Sequence, residues 1–139
     1  MKLNTKFFKY EREIIFDNKL RQCIKITWPP GHLSLAHDHG YSRGFFFVLK
    51  GSIFQIAFNP ELSEGGGYSD KIIFDEGMIV YEYPNIIHVV GNNSIKEEAI
   101  TLHYYSPELH MTYYSEMMQE FAIRIMQEGK KAGPECYMV

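Results

Sequence analysis

At 139 residues, with 45% hydrophobic, 15% aromatic and 22% charged residues, the chain is expected to fold as one domain, residues 1–139, well away from a disordered composition. A formal net charge of -3 carries no basic excess, which argues against a sequence-independent grip on nucleic-acid phosphates. No apolar run has signal-peptide or membrane-spanning length, so no membrane contact and a cytoplasmic setting are expected, with Cys23 and Cys136 as two ordinary thiols.

Ten tyrosines and ten phenylalanines favour strands over helices. Residues 6–16 mix apolar and charged positions, Asp17-Asn18 signals a turn, and Ile24, Ile26 and Trp28 alternate, which predicts a hairpin. Trp28-Pro29-Pro30-Gly31 ends it, because proline cannot donate in a central ladder. The next stretch reads Gly-His-Leu-Ser-Leu-Ala-His-Asp-His-Gly-Tyr-Ser-Arg-Gly-Phe-Phe-Phe-Val-Leu-Lys-Gly, from Gly31 to Gly51. Side chains alternate on a strand, so His37 and His39 share a face with Asp38 turned away between them. Residues 45–50 and 53–58 flank Gly51-Ser52, a glycine-first pair that a type II′ hairpin favours. Residues 59–70 contain three consecutive glycines and read as a loop. Residues 71–74, 78–83, 86–90 and 99–105 read as four more short strands. Beyond Ser106-Pro107, Met118, Phe121, Ala122 and Ile125 have helical spacing while Phe121, Ile123 and Ile125 alternate; strands are favoured there, with 129–139 as a loose tail. Many short strands between turns imply a sandwich or barrel.

A chain that folds back as a sheet can bring His88 beside His37 and His39, which makes a candidate three-histidine metal site. Three neutral ligands leave the charge of a divalent ion uncompensated and up to three positions of an octahedron open, so the centre would attract anions. Iron(II) with an incoming thiolate suits these donors, and the sequence does not exclude zinc, manganese or nickel. Tyr10 and Arg12 share one strand face, and a planar guanidinium offers the fork that a carboxylate prefers. Thr101, His103 and Tyr105 alternate along one strand and point the same way. His32 and His110 read as structural or solvated histidines.

The spacing of Gly31, His37, His39, Gly44 and Gly51 resembles the first motif of the cupin family, and Gly77, Pro84, His88 and Asn92 resemble its weaker second motif. Most cupins carry a ligand glutamate where this chain has Gly44, so three histidines with no carboxylate are expected. Trp28 to His39 followed by Ser42, His88-Val-Val-Gly-Asn-Asn-Ser94, and Ala99-Ile-Thr-Leu-His-Tyr-Tyr-Ser-Pro107 are similar to the cysteine dioxygenase family, over about residues 10–107.

That resemblance implies an all-β, single-domain cupin jelly-roll barrel and an iron(II)-dependent enzyme that uses dioxygen to oxidise a small carboxylated thiol to its sulfinic acid. L-cysteine is the first expectation; 3-mercaptopropionate, another mercapto acid, or a metal- or ligand-binding cupin without turnover are the alternatives. It also implies His37, His39 and His88 as iron ligands, Arg12 with Tyr10 as the site for the substrate carboxylate, and Thr101, His103 and Tyr105 as the counterpart of a Ser-His-Tyr relay. In that relay Tyr105 would stand near the metal, able to hydrogen-bond the substrate. Gly44 stands where animal members carry the cysteine that crosslinks to the tyrosine matching Tyr105, so the pattern is the bacterial one and no crosslink is expected. Glu108 replaces a second proline after Pro107, and the helical segment that precedes the Tyr-x-Arg strand in the family is short here. The barrel would then be exposed at that end or covered by a partner chain, as in a homo-oligomer.

Overall fold

The protein is seen in a computed structural model that describes residues 9–59, 67–68, 71–84, 86–107 and 112–113, and every regular element among these is a strand. β1 (Glu11–Asp17) and β2 (Gln22–Trp28) form the expected antiparallel hairpin. Asn18 closes it: its side-chain oxygen accepts from the backbone N–H groups of Leu20 and Arg21 at 2.9 and 3.0 Å. A local side-chain bond of this kind substitutes for a backbone turn, which is why an asparagine at this place is informative.

One antiparallel sheet has the order β1-β2-β10-β4-β8, with β4 at Arg43–Lys50, β8 at Ile79–Glu82 and β10 at Ala99–Ser106. The other runs β11-β3-β9-β5-β6, formed by β3 (His37–Asp38), β5 (Ser52–Asn59), β6 (Gly67–Tyr68), β9 (Ile87–Asn92) and β11 (Thr112–Tyr113), with β7 (Ile72–Asp75) also paired to β5. Inner-face residues of both sheets meet in one core: Ile24, Ile26 and Trp28 from β2, Phe46 and Val48 from β4, Ile53 from β5 and Val90 from β9. This is the all-β jelly roll that the short alternating segments and the cupin spacing led us to expect.

The expected Gly51 hairpin is not formed. β4 pairs with β10 and β8, whereas β5 pairs with β9, β7 and β6, so Gly51 is the corner at which the chain leaves one sheet for the other. Its φ of +82° suits a glycine, and a Cβ there would lie 2.9 Å from the Glu98 carbonyl oxygen. The same dipeptide chemistry serves a tight turn of either kind, and the partner strands decide which one forms. Residues 59–70, expected as a loop, contain β6, which pairs with the end of β5. Beyond Pro107 the described residues include β11; residues 118–125, over which strands are favoured, lie outside the described residues, as do the rest of 114–131, the 129–139 tail, His110 and Cys136. Among the described residues no helix is long and apolar enough to cross a membrane.

Candidate metal centre

Two strands far apart in sequence supply the histidines. β3 pairs antiparallel with β9 so that His37 and His88 are direct cross-strand partners, and His39 follows two residues after His37. Directly opposed residues project to the same side of a sheet, so this register alone aims two imidazoles at one another. Asp38 faces away and accepts from the Gly40 N–H at 3.0 Å, bending the chain after β3.

All three rings are buried, and their Nε2 atoms lie 3.2, 3.2 and 3.3 Å apart. The protons can be placed by elimination. His37 Nδ1 lies 2.6 Å from the Leu35 carbonyl and His88 Nδ1 lies 3.0 Å from Gln55 Oε1; both partners are acceptors, so both Nδ1 atoms are donors. The Nε2 atoms of His37 and His88 therefore turn lone pairs toward the same point. Donors at about 2.1 Å from a divalent ion are about 3.0 Å apart at octahedral angles and about 3.4 Å apart at tetrahedral ones, and the observed separations lie between these. Facing lone pairs in a buried site repel unless a cation lies among them, so this donor set fits a divalent metal ion.

Burial holds the rings neutral, as ligation requires. Desolvation lowers the pKa of His37 to about 4, that of His39 to about 3, and that of His88 well below the ordinary value; neighbouring imidazoles add to the effect for His39 and His88.

The inner face of β10 carries Thr101, His103 and Tyr105, all buried. Trp28 Nε1–H donates to Thr101 Oγ1 at 2.9 Å, Thr101 Oγ1 lies 2.7 Å from His103 Nε2, and His103 Nδ1 lies 3.0 Å from the Tyr105 hydroxyl. Tyr105 also bonds to the carboxylate of Glu82, a pairing that raises the phenol pKa and acts downward on that of the acid. If the phenol proton is given to Glu82, the Tyr105 oxygen accepts from His103 Nδ1–H and His103 Nε2 accepts from Thr101. One ordered chain then runs Trp28, Thr101, His103, Tyr105, Glu82, with every proton pointing toward the cavity. The ring of Tyr105 lies 5.1 Å from that of His39, centroid to centroid.

A single cavity reaches the three histidines together with His103 and Tyr105, and Tyr10 and Arg12 line it as well. Arg12 is directly opposite the inward-facing Ile26, and the Tyr10 ring packs against that of Trp28 in a tilted pair with centroids 4.6 Å apart, so both belong to the inner face of the first sheet at its β1 edge. Arg12 remains exposed to solvent there, which sets it at the mouth rather than in the floor. Thr101 does not line the cavity; it holds His103 from behind. His32 stays apart from this group, with Nδ1 2.7 Å from the Lys9 carbonyl.

The donor group is the expected three histidines with no carboxylate among them, and a carboxylate outside that group stands beside it. Glu82, 5% exposed, ends β8 with Oε1 3.8 Å from His88 Nε2, and burial raises its pKa to about 8. It lies outside both sequence motifs, and it reaches the cavity because β8 pairs with β4 and sets Glu82 opposite Gly44. Gly44 is also opposite Tyr105 on its other side. A Cβ at Gly44 would collide with the Tyr104 carbonyl oxygen, so this backbone leaves no room for a cysteine at the crosslink position. Asn92 has a structural part: it donates to the carbonyls of Trp28 and Glu97 at 3.0 and 2.7 Å and accepts from the Ser94 N–H at 2.8 Å, fixing the end of β9.

The shifted groups imply a stability profile for the metal-free protein. Below about pH 6.5 the unfolded chain protonates imidazoles that His37, His39, His88 and His103 keep neutral when folded, so stability falls as pH drops from 6.5 toward 4. Glu82 acts in the opposite sense, since its folded form holds a proton between about pH 4.5 and 8 and its contribution is lost as pH rises through that window. Four groups outweigh one below pH 6.5. The Tm of metal-free protein should therefore peak near neutrality and fall by several degrees at pH 5; a Tm flat from pH 5 to 7 would contradict neutral buried imidazoles.

Comparison with known proteins agrees with this geometry. The family model for cysteine dioxygenase type I matches residues 7–116. Cysteine dioxygenase type 1 from Danio rerio is 29% identical and that from Homo sapiens 30% identical over 105 residues, in each case 72% of this chain and 52% of the relative. The chain thus spans about half the length of the curated relatives it matches. Among solved structures, a cupin-like protein from Thermotoga maritima superposes with a TM-score of 0.66 at 18% identity over 88% of each chain. A protein with a double-stranded β-helix domain from Klebsiella pneumoniae gives 0.61 at 13% identity, over 79% of this chain and 92% of the other. These two likenesses carry the fold alone. The match of the family model over most of the chain, joined to the histidine triad it encloses, shows that the chain belongs to the cysteine dioxygenase type I family.

Proposed function

We propose that this protein is an iron(II)-dependent thiol dioxygenase that oxidises a small carboxylated thiol, with L-cysteine as the leading candidate, to its sulfinic acid. The observation that carries this reading is the convergence, in one cavity, of three imidazoles with facing lone pairs, a buried phenol and an arginine at the mouth. Iron(II) held by His37, His39 and His88 would supply open positions for the thiol sulfur and for dioxygen, and the redox capacity that joins them.

The remaining residues bind and orient. Arg12 offers two parallel N–H donors to the substrate carboxylate, and Tyr10, held against Trp28, borders the same space. The chain Trp28, Thr101, His103 fixes the hydroxyl of Tyr105 at the cavity wall, where it can bond to the bound substrate. Phe46, stacked on His103 at 4.9 Å, and Ile24 exclude water from that wall.

The test is oxygen uptake by anaerobically iron-loaded protein offered cysteine, 3-mercaptopropionate and cysteamine in turn. Uptake with a carboxylated thiol supports the proposal, and no uptake with any thiol would leave a binding cupin without turnover. Tyr105→Phe should retain its metal but lower kcat by about tenfold to a hundredfold, the effect of losing a bond worth roughly 1.5–3 kcal/mol at the reacting group. Unaltered steady-state kinetics with full metal content would remove Tyr105 from the site.

A further inference from the structure

Tyr105, Gly44 and Glu82 form one row across the inner face of the first sheet. Gly44 on β4 is opposite Tyr105 on β10 to one side and opposite Glu82 on β8 to the other. Residues in such a row project to the same face, and a side chain on the middle strand would ordinarily separate the outer two. Gly44 puts nothing there. A Cβ at Gly44 would lie 2.9 Å from Cδ1 of the Tyr105 ring, so the ring occupies the space that a side chain would fill. Glu82 is buried on the same cavity wall, and its Oε2 has no hydrogen-bond partner, which leaves Oε1 to meet the phenol. The hydroxyl is therefore met from two sides, by His103 Nδ1 at 3.0 Å and by the Glu82 carboxyl group. A hydroxyl proton rotates to suit its partners, so a contact at His103 alone permits it to point at Nδ1 or away. An acceptor on the opposite side selects the second arrangement.

We propose that Glu82 is a positioning residue for Tyr105, an acceptor supplied from β8 across the gap that Gly44 leaves on β4, which holds the phenol where substrate binds. This deepens the reading under Proposed function and rests on it. Glu82 acts on the reaction only through Tyr105, and the donor group remains the three histidines. Two anchors on opposite sides of one hydroxyl lock it in place, which is what a group that must meet substrate at hydrogen-bond distance requires.

The experiment is a double-mutant cycle on the full chain, read as kcat and KM for cysteine in iron-loaded wild type, Glu82→Leu, Tyr105→Phe and the double variant, with Glu82→Gln as the conservative change. Glu82→Leu should lower kcat about tenfold with metal content and KM little changed, a loss no larger than that of Tyr105→Phe. Glu82→Gln keeps an acceptor oxygen at the same reach and should recover most of that loss. In the Tyr105→Phe background Glu82→Leu should cost less than about twofold further, because a residue that acts through the phenol then has nothing left to position. A second readout does not depend on turnover. In metal-free protein labelled with 13C-tyrosine, the Cζ resonance of Tyr105, identified by its absence in Tyr105→Phe, should move in Glu82→Leu. Losses that multiply in the double variant, loss of metal in Glu82→Leu, a Glu82→Gln no better than Glu82→Leu, or an unmoved Tyr105 resonance would each overturn the assignment. Wild type that takes up no oxygen with any thiol is the separate result that would overturn the reading beneath it, and the resonance would still decide the pairing.

Discussion

Replacing His37, His39 or His88 by alanine is expected to weaken metal binding by on the order of 100- to 1,000-fold, since four-ligand sites bind with about 10–16 kcal/mol and each donor supplies a few of these. The three are equivalent in the structure: each is buried, and each has its Nε2 within 3.3 Å of the other two. None has a substitute among the described residues, because His103, the other buried histidine, spends its two ring nitrogens on Thr101 and Tyr105. Metal content after anaerobic loading and desalting checks this directly. Full metal content in all three variants would mean that the facing nitrogens are not a metal site.

The second large effect is expected at Arg12. Its guanidinium lines the cavity at the exposed β1 edge, on the face that also carries Tyr10 against Trp28. Hydrogen bonds to a charged group contribute roughly 1.5–3 kcal/mol, so Arg12→Ala should lower kcat/KM for cysteine by about tenfold to a hundredfold. The exposure of Arg12 allows water to screen the pair, which favours the lower end of that range. Cysteamine, which lacks the carboxylate, should be a poor substrate of wild type and little affected by the change. An equal loss with both thiols would make Arg12 structural, and a wild-type preference for cysteamine would revise the substrate class.

The histidine triad was legible because its information is local. Two of its members are separated by one residue and lie inside a spaced glycine frame, and the third sits in a motif of its own. The alternation on β10 was equally readable, since period-two spacing puts Thr101, His103 and Tyr105 on one face without reference to any other strand. Glu82 was not readable in this way. Its place depends on the β4–β8 register, which sets it opposite Gly44, and nothing in the residues around it encodes which strand β8 will join. The Gly51 turn failed for the same reason: the dipeptide permits a reversal, and whether the flanking strands pair with each other is decided by β9 and β10.

The most direct test of the central claim follows the oxygen atoms. Iron-loaded protein turning over cysteine under 18O2 should yield cysteine sulfinic acid four mass units heavier than the product formed under ordinary dioxygen, with one O2 consumed per sulfinate. A product carrying one labelled atom or none, or oxygen uptake that yields only disulfide and peroxide, would contradict a dioxygenase and leave the buried triad to another chemistry.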